Sequence, residues 1–444
     1  MSNRPNILLA VPRYLSAKDF GYVMPMGILY VSAALKASGK ANVFTVNLNH
    51  ENKSDEVTLR RIIKQNDISI VGTGGISGQY ADIEALMGLV KSIAPNVITI
   101  VGGGMMTSDP IPAMTALHGV ADYGIIGEGE ITVAELCEAL ANDKPIESVD
   151  GLIYRLPSGE FHTTSHRADI DDIDKLPLPD YEGFNYRAYL DENPEVDKGK
   201  CYSRAAIIGG RSCIYNCTFC FHPTGSHYRQ RSVDSILEEI KYLIDHYSVN
   251  YIALREELFA KDLNRVLEFC KRIVDYPVVW SIQLRVDSVC PEMVAALKAS
   301  NCRYVFLGIE SADNRILKSM RKRITIEQVE QALQSTISAG LDTRSTIIIG
   351  DAEETEESAR RTLDWWKEHR KHSAIDLGLI IAFPGSALYK QARLNGRIPD
   401  PVQFLKDGCP VINLSTHLSD EMFQKIVDEV CAATCIPFKV YKYN

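Results

Sequence analysis

The chain has 444 residues, 45% of them hydrophobic and 24% charged, which is enough for two or three domains of roughly 100–200 residues with real cores. Its net charge of −9 gives no electrostatic reason to expect nucleic acid or a membrane surface as a partner. No apolar run approaches the roughly 18 residues of a membrane span. The start, Met1-Ser-Asn-Arg-Pro-Asn6, leads straight into an apolar stretch, so no signal peptide is expected. Eleven scattered cysteines do not read as a secreted disulfide framework, and a reducing cytoplasm is the expected compartment.

Residues 1–150 alternate strand and helix patterns. Strands are expected at 6–11, 42–48, 68–72, 97–101 and 123–126, and helices at 26–38, 55–65, 80–94, 110–117 and 131–141. Five strands with intervening helices predict an α/β, doubly wound, Rossmann-like parallel sheet. Such sheets bind ligands at the carboxyl ends of their strands. Glycines fall there: Gly72-Thr-Gly74-Gly75, Gly102-Gly103-Gly104 and Gly127-Glu-Gly-Glu130. They either let a ligand approach the backbone or simply make tight turns. Residues 151–200 read as extended linker, because Leu176-Pro-Leu-Pro-Asp180 and Asp191-Glu-Asn-Pro-Glu-Val-Asp197 block helix.

A second alternation starts at Ala205. Strands are expected at 205–209, 251–254, 278–283, 303–307, 343–349 and 375–381, and helices at 233–247, 260–274, 291–299, 326–339 and 355–369. Six such units over 201–395 predict a parallel, barrel-like sheet whose chemistry sits on loops at the strand carboxyl ends. Residues 396–444 form a small extension with a helix near 421–435, where Cys431 and Cys435 share a face.

The first of those loops carries Cys213-Ile-Tyr-Asn-Cys217-Thr-Phe-Cys220. Three thiolates at this spacing can hold three irons of a [4Fe–4S] cluster and leave the fourth iron open. Two plainer readings compete: a zinc knuckle completed by His222, or packed thiols. Zinc ligands usually arrive as two pairs.

The run resembles the signature of the radical S-adenosylmethionine (SAM) enzymes, including the aromatic Phe219 before the last cysteine. The resemblance implies Cys213, Cys217 and Cys220 as cluster ligands and SAM on the open iron, cleaved to a 5′-deoxyadenosyl radical. It implies SAM contacts from Glu256 and Glu257 after the second strand, and SAM or substrate contacts from Gln283 and Arg285 after the third. Arg285 is open to a second reading, a structural pair with Asp287. Glu310 and Ser311 of Gly308-Ile-Glu-Ser311 match the family's ribose motif, and Ile349 the adenine strand. The acidic pair also reads as a helix first turn, and Ser311 as a cap. Where relatives continue with a Pro-Gly turn, this chain has Gly350-Asp-Ala-Glu-Glu-Thr355, while Phe383-Pro-Gly-Ser-Ala-Leu-Tyr389 keeps the family pattern. Tyr215, Cys302 and Tyr304 are candidate hydrogen-atom or proton donors.

Pro25-Met-Gly-Ile-Leu-Tyr30, the Gly102 run and Ile126-Gly-Glu-Gly-Glu130 resemble the cobalamin-binding domain that precedes many radical SAM modules. That implies cobalamin near Gly74, Gly103 and Gly127, although the chain lacks Asp-x-His-x-x-Gly and some proteins of this architecture hold no cobalamin. The two resemblances cover about residues 5–395. They imply a radical SAM enzyme, served by an electron donor such as flavodoxin or ferredoxin, that C-methylates a small molecule in natural-product or cofactor biosynthesis. Cobalamin-independent dehydration, cyclisation or rearrangement is the second reading. A non-catalytic iron–sulfur sensor is the alternative of a different class.

Overall fold

The computed structural model describes residues 4–14, 22–225, 227–371 and 373–440. The first sheet grows around β1 (Asn6–Val11), whose Ile7, Leu8 and Val11 are fully buried. The chain turns at Gly39, in the left-handed region with φ +63°, to end α1 (Met26–Ser38). Then come β2 (Asn42–Asn47), α2 (Asp55–Gln65) with Ser54 as its cap, β3 (Ile70–Gly74), α3 (Tyr80–Ile93) and β4 (Ile98–Gly102). Two short helices, α4 (Gly104–Ser108) and α5 (Pro110–Ala116), lead to β5 (Tyr123–Ile125) and α6 (Gly129–Ala141).

The order is β2-β1-β3-β4-β5, all parallel. The strand order reverses between β1 and β3, which marks the ligand crevice of such sheets. Two antiparallel strands, β6 (Leu152–Arg155) and β7 (Phe161–Thr163), extend the edge. Residues 151–200 are therefore not a plain linker. They also hold α7 (Tyr186–Glu192) and the hairpin β8 (Glu195–Asp197) with β9 (Lys200–Tyr202).

The second sheet has the order β10 (Arg204–Ile207), β13 (Tyr251–Leu254), β14 (Val279–Arg285), β15 (Cys302–Glu310), β16 (Asp342–Ile349) and β17 (Ala374–Leu379). Every neighbouring pair is parallel, as in a partial (β/α)6 barrel. Between β10 and β13 lie β11 (Gly210–Arg211), β12 (Arg229–Gln230) and α8 (Val233–Tyr247). The other crossovers are α9 (Leu263–Ile273), α10 (Pro291–Ala299), α11 (Asn314–Ser319), α12 (Ile326–Ser338) and α13 (Glu356–His369). After β17 come α14 (Ala387–Leu394), α15 (Pro401–Lys406) and α16 (Asp420–Thr434).

One face of this sheet is buried throughout, with Trp280, Ile282, Leu284, Val305, Leu307 and Ile347 facing the helices. Trp280 meets Phe269 of α9 edge-on at 4.9 Å, and its indole N–H donates to Ser300 O at 2.7 Å. The alternate residues form a second face that is open in places, including the exposed Gln283. By chain contacts the molecule forms two units: residues 1–194, 222–225 and 400–409, and residues 195–221, 226–399 and 410–444.

Candidate active site

The cysteine loop follows β10 and is held at several points. β11 and β12 pair antiparallel near its start. Thr218 N–H donates to Met320 O at 3.0 Å, Leu388 N–H to Thr218 O at 2.9 Å, and Cys220 N–H to Cys217 O at 3.1 Å. Gly385, at φ +89°, lies so close to the Phe221 ring that a Cβ there would overlap it. The Pro384-Gly385 turn is thus packed directly behind the last cysteine.

Arg285, at the carboxyl end of β14, braces the loop from the other side. Its guanidinium lies 3.6 Å from the Tyr215 ring centroid, pairs with Asp287 at 2.9 and 3.0 Å, and donates to Lys322 O at 2.6 Å. Arg285 is thereby committed to Asp287 and to the loop. Its positive charge acts on Cys213 and is felt from Cys217. Phe219 is half-buried on the loop between the last two cysteines.

The two acids after β13 have different roles. Glu256 has a side chain only 1% exposed, paired with Arg265 at 3.3 Å. Burial pushes its carboxyl up to about 7 against the pull of Arg265. Its Oε2 fills the space beside Gly209 and Gly210, where added Cβ atoms would stand 2.7 and 2.9 Å away. Glu256 therefore supports the strand that delivers the cysteines. Glu257 keeps part of its side chain open to solvent, while the protein packed around its carboxyl pushes it up to about 7. It faces the cluster loop, since burial first and then the Glu257 charge raise the Cys220 thiol to about 12.

Glu310 ends β15 at a bulge, with φ +71° and its carboxylate 2.6 Å from Lys322 Nζ. Ser311 is buried; its hydroxyl accepts from Asp313 N–H at 3.1 Å and lies 3.3 Å from the Thr362 hydroxyl. These contacts make Ser311 part of an internal turn. Ile349 is 1% exposed on the helix-covered face, whereas Ile348 lies on the other. Instead of a Pro-Gly turn after β16, Gly350 N–H donates to Glu354 Oε2 at 3.1 Å, with Asp351 and Glu354 both buried.

The three candidate hydrogen donors separate. Tyr215 lies under Arg285 and Tyr304 lies under Arg344 at 4.0 Å. Cys302, expected to face the cavity, is a correction: it opens β15 at the opposite end of the sheet, pairs in register with the helix-facing Trp280, and is buried with its thiol toward Tyr304 O. A register shift between Trp280 and Ser281 turns it onto the covered face, against the alternation of Val305 and Leu307. Sequence reasoning missed Lys322, Arg265 and Arg344. None lies in a recognisable motif, although Arg344 falls at an alternate position of a strand that was read correctly.

Among the described residues no three His, Cys, Asp or Glu side chains converge on a point that would hold one metal ion. A zinc knuckle needs such a point. A cubane does not, since each thiolate binds a different iron, and Cys213, Cys217 and Cys220 lie within electrostatic range of one another. The donor set fits a cluster with one open iron.

The carboxyl edge of the first sheet also suits a ligand. Gly103, at φ +84°, packs backbone to backbone on Gly75, where a Cβ would stand 2.8 Å from its N and O. Gly74 packs in the same way on Gly102. These glycines make close turns. Gly78 and Gly127 have nothing within 4 Å of an added Cβ, and Ile76 between the strands is 56% exposed. The edge thus leaves glycine backbone at Gly78 and Gly127 and the apolar Ile76 side chain open to a ligand.

Three thiolates on the first strand end of an open parallel barrel define an iron–sulfur protein of the radical SAM type. The comparisons agree. The radical SAM superfamily model matches residues 207–365 and the B12 binding domain model residues 12–137. The chain is 26% identical over 420 residues to an uncharacterized methyltransferase of Pyrococcus horikoshii, covering 91% of this chain and 86% of that one. It is 26% identical over 374 residues to the anaerobic magnesium-protoporphyrin IX monomethyl ester cyclase of Rubrivivax gelatinosus, covering 81% and 66%. Its fold matches the radical S-adenosylmethionine methyltransferase TsrM of Kitasatospora setae, solved with cobalamin and a [4Fe-4S] cluster, with a TM-score of 0.72 at 16% identity over 88% of this chain and 76% of that one. The chain thus carries a radical SAM domain over residues 207–365 and, before it, a B12-binding domain over residues 12–137.

Proposed function

We propose that the protein is a radical SAM C-methyltransferase acting on a small molecule in a biosynthetic route, with cobalamin as methyl carrier. One observation carries the reading: a single chain joins the cysteine loop on β10 to a B12-type sheet with an open, glycine-lined, apolar carboxyl edge. When bound, the cluster and SAM supply a radical that removes a substrate hydrogen, and cobalamin supplies the methyl group. The protein's own contribution is placement. Cys213, Cys217 and Cys220 hold three irons. Arg285 and the Pro384-Gly385 turn fix the loop that bears them. Glu257 offers a carboxylate to the ammonium of a bound amino acid. An external one-electron donor such as flavodoxin or ferredoxin reduces the cluster, which suits a cytoplasmic setting.

The likeness to a cyclase supports a second reading, radical cyclisation or rearrangement without methyl transfer. Product analysis separates the two. Methyl transfer yields S-adenosylhomocysteine alongside 5′-deoxyadenosine, and the second reading yields 5′-deoxyadenosine alone. Cys217→Ala should lose cluster and 5′-deoxyadenosine together. A Cys217→Ala protein that still makes 5′-deoxyadenosine would overturn the site assignment.

A further inference from the structure

The partly open face of the barrel sheet carries a row of side chains that the reading above leaves unused. Gln283 pairs in register with Phe306, and Phe306 with Arg344. Ala253 pairs with Ser281, so Arg255, two residues beyond Ala253, continues the row beside Gln283. Arg285 is two residues further along β14 on the same face, where it stacks on Tyr215 of the cysteine loop. The row therefore crosses β14 about 7 Å along the strand from the Arg285 backbone, at about 3.3 Å per residue.

The other arginines nearby are occupied. Arg204 pairs with Glu195 at 3.1 Å, and Arg303 pairs with Asp197. Arg344 lies over Tyr304 and reaches Glu195 at 3.8 Å and Asp197 at 4.0 Å. The acids of the β8–β9 hairpin are thus already shared among three guanidinium groups. Arg255 is left without a hydrogen bond, ion pair or ring contact for its side chain among the described residues. Arg255 is itself exposed; the protein packed around it, and then the neighbouring Arg204 charge, hold its guanidinium below the ordinary value. Gln283 beside it is exposed and has no side-chain partner among the described residues.

We propose that Arg255, assisted by Gln283, binds a carboxylate or phosphate of the substrate, so that the enzyme acts on small anionic molecules. The proposal rests on the radical SAM reading of the same site. A guanidinium fork meets either group with two parallel hydrogen bonds, and the Gln283 amide adds a third donor. Anchored in this row, a substrate extends toward the cysteine loop and presents its far end to the chemistry there.

The test is calorimetric titration of anaerobically reconstituted protein with inorganic phosphate, and separately with acetate, at constant ionic strength. Wild type is expected to bind at least one of them, and the tighter of the two tells phosphate from carboxylate. Arg255→Gln should weaken that binding tenfold or more, and Arg255→Lys should recover part of it. Equal binding by wild type and Arg255→Gln, or no binding of either anion by wild type, would overturn the proposal. Cys217→Ala keeps Arg255 and should bind the anion as wild type does while losing 5′-deoxyadenosine. Failure of the anion site and failure of the radical reading therefore appear in different signals.

Discussion

Replacing Glu256 by Gln should change how the stability of the barrel unit depends on pH. Glu256 is buried beside Gly209 and Gly210, and burial raises its carboxyl from 4.5 to about 7. A carboxyl with a raised folded-state value binds its proton more tightly in the folded protein than in the unfolded chain. It therefore costs nothing well below pH 4.5, and the cost grows as pH rises toward 7 and levels off above it. At about 1.36 kcal/mol per unit, the full cost is about 3 kcal/mol, most of which develops between pH 5 and 8. A neutral amide of the same shape removes this dependence. Glu256→Gln should thus gain about 2 to 3 kcal/mol on wild type between pH 5 and pH 8, whatever constant offset the lost Arg265 pairing adds. The assay is urea unfolding followed by tryptophan fluorescence, because Trp280, Trp365 and Trp366 are the chain's only tryptophans and all lie in the barrel unit. A difference between variant and wild type that stays flat from pH 5 to 8 would show that Glu256 is ionised throughout, and would refute the reasoning.

The remaining predictions concern the cysteine loop. Arg285→Gln removes a cation within range of Cys213 and Cys217, so the reconstituted cluster should be harder to reduce. A potential lower by 59 mV is a tenfold change in the reduced fraction; redox titration followed by electron paramagnetic resonance checks it, and an unchanged potential counts against the brace. Gly385→Ala must relieve both the φ of +89° and the overlap with Phe221, so it should lower iron and sulfide retained per chain. Retention equal to wild type would mean that the turn does not support the loop.

Much of the architecture was legible because hydrophobic period and punctuation agreed. α1 runs to its Gly39 stop, α2 starts after Ser54, and α8 and β13 have the expected bounds. The hairpin of β6 and β7 was hidden by the short length of its strands, although Leu156-Pro-Ser-Gly159, with Gly159 at φ +94°, is a turn signal that prolines elsewhere in the segment obscured. The cluster loop was readable from spacing alone. The partners of the other site residues were not, because they arrive from distant elements: Arg265 on α9 for Glu256, Lys322 after α11 for Glu310. Cys302 shows the opposite limit. Its place at a strand start was expected, but the face it occupies depends on a register shift beside Trp280 that no pattern signals.

The central claim, a radical SAM site working with a cobalamin-binding domain, is tested most directly by one spectrum. The protein is reconstituted anaerobically with iron, sulfide and hydroxocobalamin, desalted, and its absorption recorded. The account predicts a cluster band together with one retained cobalamin per chain. A cluster band without cobalamin would contradict methyl transfer, and cobalamin without a cluster would contradict the assignment of Cys213, Cys217 and Cys220.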